Sequence, residues 1–396
     1  MALEALPVFA FRPDWSAPIG ERLAWRTDPL TARNAAQQTR QLSAQSPRRE
    51  LSFALSVEAG DRQWFDTLAY AHGRGKWWLP VWTDGMALPA ALAAGSSTIS
   101  LDPAFRDFSA GGAVVLLGGA ARDAELVEVA AIAGGITLAA ATLASWPAGT
   151  LVLPARKARL SERIEQAAFT DAFAYSQLAW RITEACTWAA DDGAASYRSF
   201  PVLTLRPNTS RDLSFAFDSG AEQYDAGAGP VEVFDWPGIP LPSQAHDWAL
   251  SGRAAISAFR SLAYALQGKA KSIWVPTWLS DLTMVSSLGS SSTALQVAWR
   301  GYTAHLVDQP SRRDIRIELR SGAVHYRRIT GASEISSSIE QLTLSSSLGV
   351  AIAPADVLQI SFMALCRCEA DTFNLEWWTG EHVDVTTAWR GRKHDL

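Results

Sequence analysis

The chain reads as mainly β (α+β): two tandem repeated β-sandwich or barrel modules, each with one short helix. Three observations predict this. The first is a repeat. Arg62-Gln63-Trp64-Phe65-Asp66-Thr67-Leu68-Ala69-Tyr70-Ala71 runs on to Gly73-Arg74-Gly75-Lys76-Trp77-Trp78-Leu79-Pro80-Val81-Trp82. Roughly 195 residues later come Ser257-Ala258-Phe259-Arg260-Ser261-Leu262-Ala263-Tyr264-Ala265 and Gly268-Lys269-Ala270-Lys271-Ser272-Ile273-Trp274-Val275-Pro276-Thr277-Trp278, and a period of domain size means duplication of one module. The second is size: 396 residues, 48% of them hydrophobic, suffice for two ordinary cores. The third is rhythm, because short alternating apolar runs recur every eight to twelve residues between Gly and Ser turns. Residues 1–192 and 193–396 are the two expected copies.

Taken in order, copy one opens on Leu6–Phe11 and copy two on Phe200–Leu205, each an apolar run stopped by a proline as a strand ending in a turn is. Arg49–Ser56 and Asp247–Ser251 are strands with large apolar residues spaced by two. Trp64, Phe65, Leu68, Ala69 and His72 fall at helical spacing, as do Ile256, Phe259, Leu262, Ala263 and Leu266. Gly73 with Gly75, or Gly268, is expected to end each helix through tolerance of positive φ. Pro80 and Pro276 put the following tryptophan-rich strand at an edge or at its end.

The rest is β-meander. Copy one has Gly95–Leu101, Ala113–Leu117, Ala124–Ile132 and Ile136–Ala140; copy two has Ser291–Val297, Asp314–Leu319, Ala323–Ile329 and Gln341–Leu344. Each copy closes with Pro154 or Pro354, a long strand and an aromatic-rich end: Phe169, Phe173, Tyr175 and Trp180, or Phe373, Trp377 and Trp378. Residues 26–48 and the Gly/Pro-rich 218–246 read as long loops, natural arms toward neighbouring subunits. A linker is expected at Ala189–Ala195, and Arg390–Leu396 as a frayed end.

Composition narrows the function. A net charge of −5, with basic residues only in short pairs such as Arg48-Arg49 and Arg327-Arg328, argues against phosphate-driven nucleic-acid binding. Seventeen Trp are the outlier, and some of these rings are expected to brace contacts between modules or subunits. Cys186, Cys366 and Cys368 make no zinc tetrad; the last two share one face of a strand, and all three read as small buried hydrophobes in a reducing compartment. No apolar run is long enough for a bilayer, Val129–Trp146 reads as paired strands, and Met1–Glu4 lacks a basic signal-peptide start. A soluble protein that folds in the cytoplasm is the expectation.

Catalytic constellations are weak. There is no G-x-S-x-G or H-E-x-x-H, and no two of the six histidines are spaced i, i+4. Gly118-Gly119-Ala120 lacks the glycines of a dinucleotide turn, and Gly73–Lys76 follows a helix where a phosphate loop precedes one. Asp84 and Asp281 each follow an aromatic strand. An aspartate recurring in both copies more simply braces a turn, although an aromatic groove beside a carboxylate could bind or cleave sugar. The reading therefore assigns no catalytic, cofactor-binding or metal-binding residue.

At Trp64–Ala71, Gly73–Lys76 and Trp77–Trp82 with Asp84, and again at Ala258–Leu266, Gly268 and Ile273–Trp278 with Asp281, the chain resembles tail-tip proteins of bacteriophages with long non-contractile tails, the distal tail and baseplate hub family. Phe373–Glu381 resembles them more loosely. A common distal tail protein has one tube-type domain and a separate peripheral domain, whereas here one module recurs. The resemblance implies a non-enzymatic structural virion protein made in the host cytoplasm. It would form a homo-oligomeric ring, a trimer with pseudo-six-fold symmetry or a hexamer, with head-to-tail contacts. The ring would join the tail tube protein to the baseplate hub and tail fibre proteins, and let DNA pass a neutral to acidic lumen without specific binding or membrane insertion. The alternative is a carbohydrate-binding receptor-recognition protein with Trp82 and Trp278 as exposed platforms; buried rings would remove it.

Overall fold

The computed structural model describes residues 3–41, 46–193 and 195–393, with 44% strand and 11% helix. The fold is mainly β. The first half begins with β1 (Ile19–Ala24), the hairpin of β2 (Thr27–Thr31) and β3 (Gln37–Gln41), and β4 (Arg48–Glu58). Helix α1 (Ala59–His72) leads into β5 (Trp77–Pro80), β6 (Met86–Ala87) and β7 (Thr98–Ile99). Then come β8 (Ala113–Leu117), β9 (Ala124–Ile132), β10 (Ile136–Leu138), β11 (Leu151–Leu160), the two-residue β12 (Ala167–Ala168) and β13 (Phe173–Ile182).

The second half opens with β14 (Ser196–Tyr197), β15 (Phe200–Pro201), β16 (Ser214–Asp218), the hairpin of β17 (Glu222–Tyr224) and β18 (Glu232–Phe234), and β19 (Leu241–Ser251). Helix α2 (Arg253–Leu266), β20 (Ile273–Pro276), β21 (Ala294–Ala298), the single-turn α3 (Tyr302–His305) and β22 (Asp314–Leu319) follow. The half ends with β23 (Val324–Ser336), β24 (Ile339–Leu344), β25 (Val357–Cys368), β26 (Thr372–Thr379) and β27 (His382–Gly391).

The two halves pair their strands in one order. In the first, β4 lies between β1 and β13, β11 and β12 share the far edge of β13, and β11 runs on to β5 and β8. In the second, β19 lies between β16 and β27, β25 and β26 share the far edge of β27, and β25 runs on to β20 and β22. The outer meanders match too, β8–β9–β10–β7 against β22–β23–β24–β21. Even single bridges recur: Val8 meets Trp78 and Val202 meets Trp274, both parallel.

Alternation decides which face is covered. Along β4, Leu51, Phe53, Leu55 and Val57 point into the core, while Glu50 and Ser52 point out. Each half has its own outer core, around Val114, Leu116 and Val152 in one and Ile315, Ile317 and Leu342 in the other. A central cluster crosses between them, joining Phe9, Phe53, Trp77 and Trp180 to Trp248, Phe259, Trp377 and Trp389. Rings of this size are each worth about 2–3 kcal/mol when fully buried.

The helices differ in cover. Of the fourteen residues of α2 nine are buried, whereas α1 buries only Phe65. Tyr264 is 7% exposed and Tyr70, at the same place in α1, is 97% exposed.

Several expectations need correction. Residues 26–48 and 218–246 are not plain loops: they hold the hairpins β2–β3 and β17–β18, and β19 starts already at Leu241. Their alternation is invisible in the sequence because both hairpins stand clear of the core and hold few buried residues. Gly73 ends α1 with φ −55, an ordinary helical value; Gln267 and Gly268, at φ 55 and φ 67, make the left-handed turn after α2. Pro154 lies inside β11, opposite Val114, and does not precede it. Its carbonyl accepts from the Val81 N–H, so its nitrogen faces the tight turn at Trp82–Asp84, where no ladder donor is needed. Of Met1–Glu4 the first two residues, of 26–48 residues 42–45, of Ala189–Ala195 Ala194, and of Arg390–Leu396 the last three lie outside the described residues.

Candidate assembly surface

The halves meet through a strand pair and a buried charge cluster. β1 of the first half runs antiparallel to β26 of the second, from Ile19 opposite Trp377 to Ala24 opposite Thr372. One ladder thus continues β13–β4–β1–β26–β27–β19–β16 through both halves. It leaves Glu21 on the core face, between Ile19 and Leu23, only 2% exposed.

Glu21 is answered from both sides. Arg49 reaches one oxygen at 2.7 Å, and Arg260 of α2 the other at 2.7 Å, where the Trp377 indole N–H also donates at 2.9 Å. Arg260 turns its second nitrogen to Asp84 at 3.2 Å, and Arg253 pairs with the other Asp84 oxygen and with the Thr83 carbonyl. Asp107 closes the first-half side against Arg49 and Arg156. Arg260 also lies 4.9 Å over the Trp377 ring and 5.0 Å over Trp188. Four guanidinium groups and three carboxylates are all buried here.

Burial alone would raise the Glu21 carboxyl; Arg260 and Arg49 outweigh it and hold it below the usual carboxylate range. Burial opposes the charge on Asp107 as well, and Arg49 and Arg156 bring it down to about 2. Arg260 is pulled down by burial but ends above its ordinary value because Glu21 and Asp84 face it. Glu21, Asp107 and Arg260 are therefore held in their charged forms, and Glu21 faces Arg260 across the joint between the halves.

A second clip lies beside it. The backbone N–H and hydroxyl of Thr27 each donate to Asp371 at 2.8 Å. Trp25 packs edge-on against Tyr264 and Phe373, with centroids 5.4 and 5.8 Å apart. The hairpin β2–β3 reaches over, where Gln41 donates to Gln267 at 2.6 Å and Thr39 meets Arg367.

On its opposite face the ladder is polar. Arg22 and Arg181 both pair with Glu50, at 3.1 and 2.9 Å, and Arg211 approaches Asp247 and Asp384 at 3.9 and 3.8 Å. Glu376 and Thr386 stand exposed among them. Charges of both signs alternate, and exposed pairs of this kind contribute little to stability.

Asp84 and Asp281, alike in sequence, do different work. Asp84 bridges to the second half, whereas Asp281 braces its own turn, accepting from Thr277 and from the Phe362 N–H at 2.8 Å. Trp82 and Trp278 are both buried, Trp278 beneath Arg316 at 4.8 Å, so neither ring is an exposed platform. Cys186, Cys366 and Cys368 are buried free thiols, and burial raises all three. Gly118 ends β8 and Gly73–Lys76 joins α1 to β5. No group of three or more His, Cys, Asp or Glu among the described residues is placed to hold a metal ion.

The sequence reading singled out none of Glu21, Arg49, Asp107, Arg156, Arg253 and Arg260 for this role. One signal was present: Arg253, Ile256, Arg260 and Tyr264 follow i, i+3, i+7, i+11, placing two arginines on the apolar stripe of α2. No helix among the described residues is long and apolar enough to cross a membrane. Compared with protein-family models and with curated proteins, the chain matches none.

Proposed function

We propose that this chain is a structural protein of a bacteriophage tail tip, a distal tail or baseplate component without enzymatic activity. Three chains would form a ring of six similar modules that joins the tail tube to the hub and fibres. One observation carries the reading: the halves join head to tail, β26 of one to β1 of the other, through surfaces that are not self-complementary. A contact of that kind propagates, and it closes into a ring when the rotation permits. A hexamer with the second module outside is the weaker reading, because both halves contribute strands to one uninterrupted ladder. The polar face of that ladder, where Arg22, Arg181 and Arg211 lie beside Glu50, Asp247 and Asp384, suits a wall past which DNA slides.

The test is native mass measurement with electron microscopy of the purified chain. Three-fold particles with six like lobes are expected, and linear duplex DNA is expected to elute separately from them at physiological salt. A stable monomer at high concentration overturns the ring. Retention of DNA by a basic lumen overturns the passage role.

A further inference from the structure

We propose that a second copy of this chain docks on the open edge beside β12 by adding its β16 strand there, in the register that β1 and β26 already use within the chain. This deepens the ring reading above and rests on it for closure; the contact itself is derived from the repeat.

Every element of the internal joint has a counterpart that lacks its partner. β27 and β13 are ten residues each and pair alike, His382 opposite Ser251 and Phe173 opposite Glu58 at one end, Arg390 opposite Ser243 and Arg181 opposite Glu50 at the other. Trp377 faces Val383 on β27, and Ala168 faces Ala174 at the matching place on β13. Ala168 thus stands where Trp377 does, and, counting back four into the segment before β12, Ile164, half-buried against the core, stands where Phe373 does. On the other side, Ser214–Asp218 lies along Ala245–Leu241 as Gly20–Ala24 lies along Ser52–Arg48. Phe217 is therefore the counterpart of Leu23.

Leu23 is 1% exposed in the shared core opposite Phe373, whereas Phe217, with Arg312 5.2 Å over its ring, is 63% exposed and has no strand on its open edge among the described residues. Tyr70 is bare where Tyr264 is packed on Trp25. The hairpin β2–β3 grips the second half through Gln41 and Thr39, while its counterpart β17–β18 leaves Tyr224, Val233 and Phe234 exposed, with Phe234 stacked on Trp236 and Arg33 of the β2–β3 turn 5.4 Å over that ring. One apolar edge and one uncovered helix face remain, and they are the two sides of the joint the chain already makes with itself. A second copy is the occupant that fits, since it brings β16 to α1 as β1 is brought to α2. Translating Leu23 opposite Phe373 gives Phe217 of one copy opposite Ile164 of the next.

The two joints also exclude each other's partners. Ala59 and Asp66 stand on α1 where Arg253 and Arg260 stand on α2, and Phe215 stands on β16 where Glu21 stands on β1. A β16 edge laid on α2 would strand both arginines, and a β1 edge laid on α1 would leave Glu21 with Arg49 but without its second cation, Arg260. The joint between copies thus sets Phe215 and Phe217 against a face whose one carboxylate there, Asp66, is already paired with Arg62 at 2.6 Å, whereas the joint within the chain is held by ion pairs across it.

The test is register-specific crosslinking. Phe217→Cys and Ile164→Cys are placed in one chain, whose native thiols are all buried. Oxidation should give covalent multimers from this chain and none from either single variant. Phe217→Cys with Ala168→Cys, about 13 Å out of register, should stay uncrosslinked. Phe217→Asp should weaken association at least about tenfold while leaving the far-ultraviolet spectrum of the monomer unchanged. Rings in the microscope without the specific crosslink overturn this contact and leave the ring standing. A specific crosslink in open chains that never close upholds the contact and overturns the ring. Monomers at every concentration, uncrosslinked, overturn both.

Discussion

Replacing Asp84 by Asn isolates the charge compensation across the joint. The side chain keeps its shape and loses its charge, while Arg253 and Arg260, 8% and 3% exposed, stay where they are. Arg260 retains Glu21 at 2.7 Å and Arg253 retains Glu381 at 3.3 Å near the surface, so neither guanidinium is wholly abandoned. Breaking a buried pair by removing one partner costs about 3–5 kcal/mol, and the retained partners place this case near 3 kcal/mol. At about 2–4 °C per kcal/mol for a domain of 150–250 residues, Tm should fall by roughly 6–12 °C. Asp281→Asn is the control, because that carboxyl is held by a hydroxyl and a backbone N–H and burial keeps it above the usual range. It should cost only about 1 kcal/mol. Calorimetry and guanidinium unfolding of the two variants measure the difference. Equal losses from both would refute the view that Asp84 acts by neutralising the second half's arginines.

Three further outcomes follow from the geometry. His246 is 1% exposed with no hydrogen-bond partner for either ring nitrogen, and burial lowers it from 6.5 to about 4. The fold holds the neutral ring, so stability is complete above pH 6.5 and falls by up to about 3 kcal/mol as pH drops to 4; His246→Leu should flatten that slope in unfolding curves. Asp107, held at about 2 against 3.8 for the free group, contributes stability that is present above pH 3.8 and lost as pH falls through 2. Its acid limb, about 2 kcal/mol deep, should persist in the His246 variant and vanish in Asp107→Asn. Gly268→Ala should cost about 1–3 kcal/mol and speed hydrogen exchange in β2–β3, because φ is +67 and a Cβ would lie 2.8 Å from the Asp371 Cα beside the Thr27 clip.

Many of the strands were legible because their signals are local. Ala113–Leu117, an unbroken apolar run, and Ala124–Ile132 and Asp314–Leu319 are strands over the residues expected of them, and the twofold occurrence of the helix–Trp-strand motif exposed the repeat. β3, Gln37–Gln41, escaped because its sequence is polar throughout. The charge cluster escaped for a different reason. Glu21 meets Arg260 across 239 positions of chain and Trp377 across 356, and no spacing rule spans such distances. Only a charged residue on an apolar face, Glu21 in β1 or Arg253 and Arg260 in α2, carries the hint. It reads as a partner required, without saying which.

The shared cluster also sets a schedule for synthesis. Glu21 and Asp84 emerge from the ribosome long before Arg253, Arg260 and Trp377, and β1 gains its second neighbour only when β26 exists. At about 5–20 residues per second, the two hundred or so residues between the halves take roughly 10–40 s to translate. Throughout that interval a nascent first half carries an unpaired strand edge and Asp84, whose two arginines are not yet made. The first half is therefore obliged to wait for α2 and β26, and a message cut short before them would yield a sticky fragment instead of a working half.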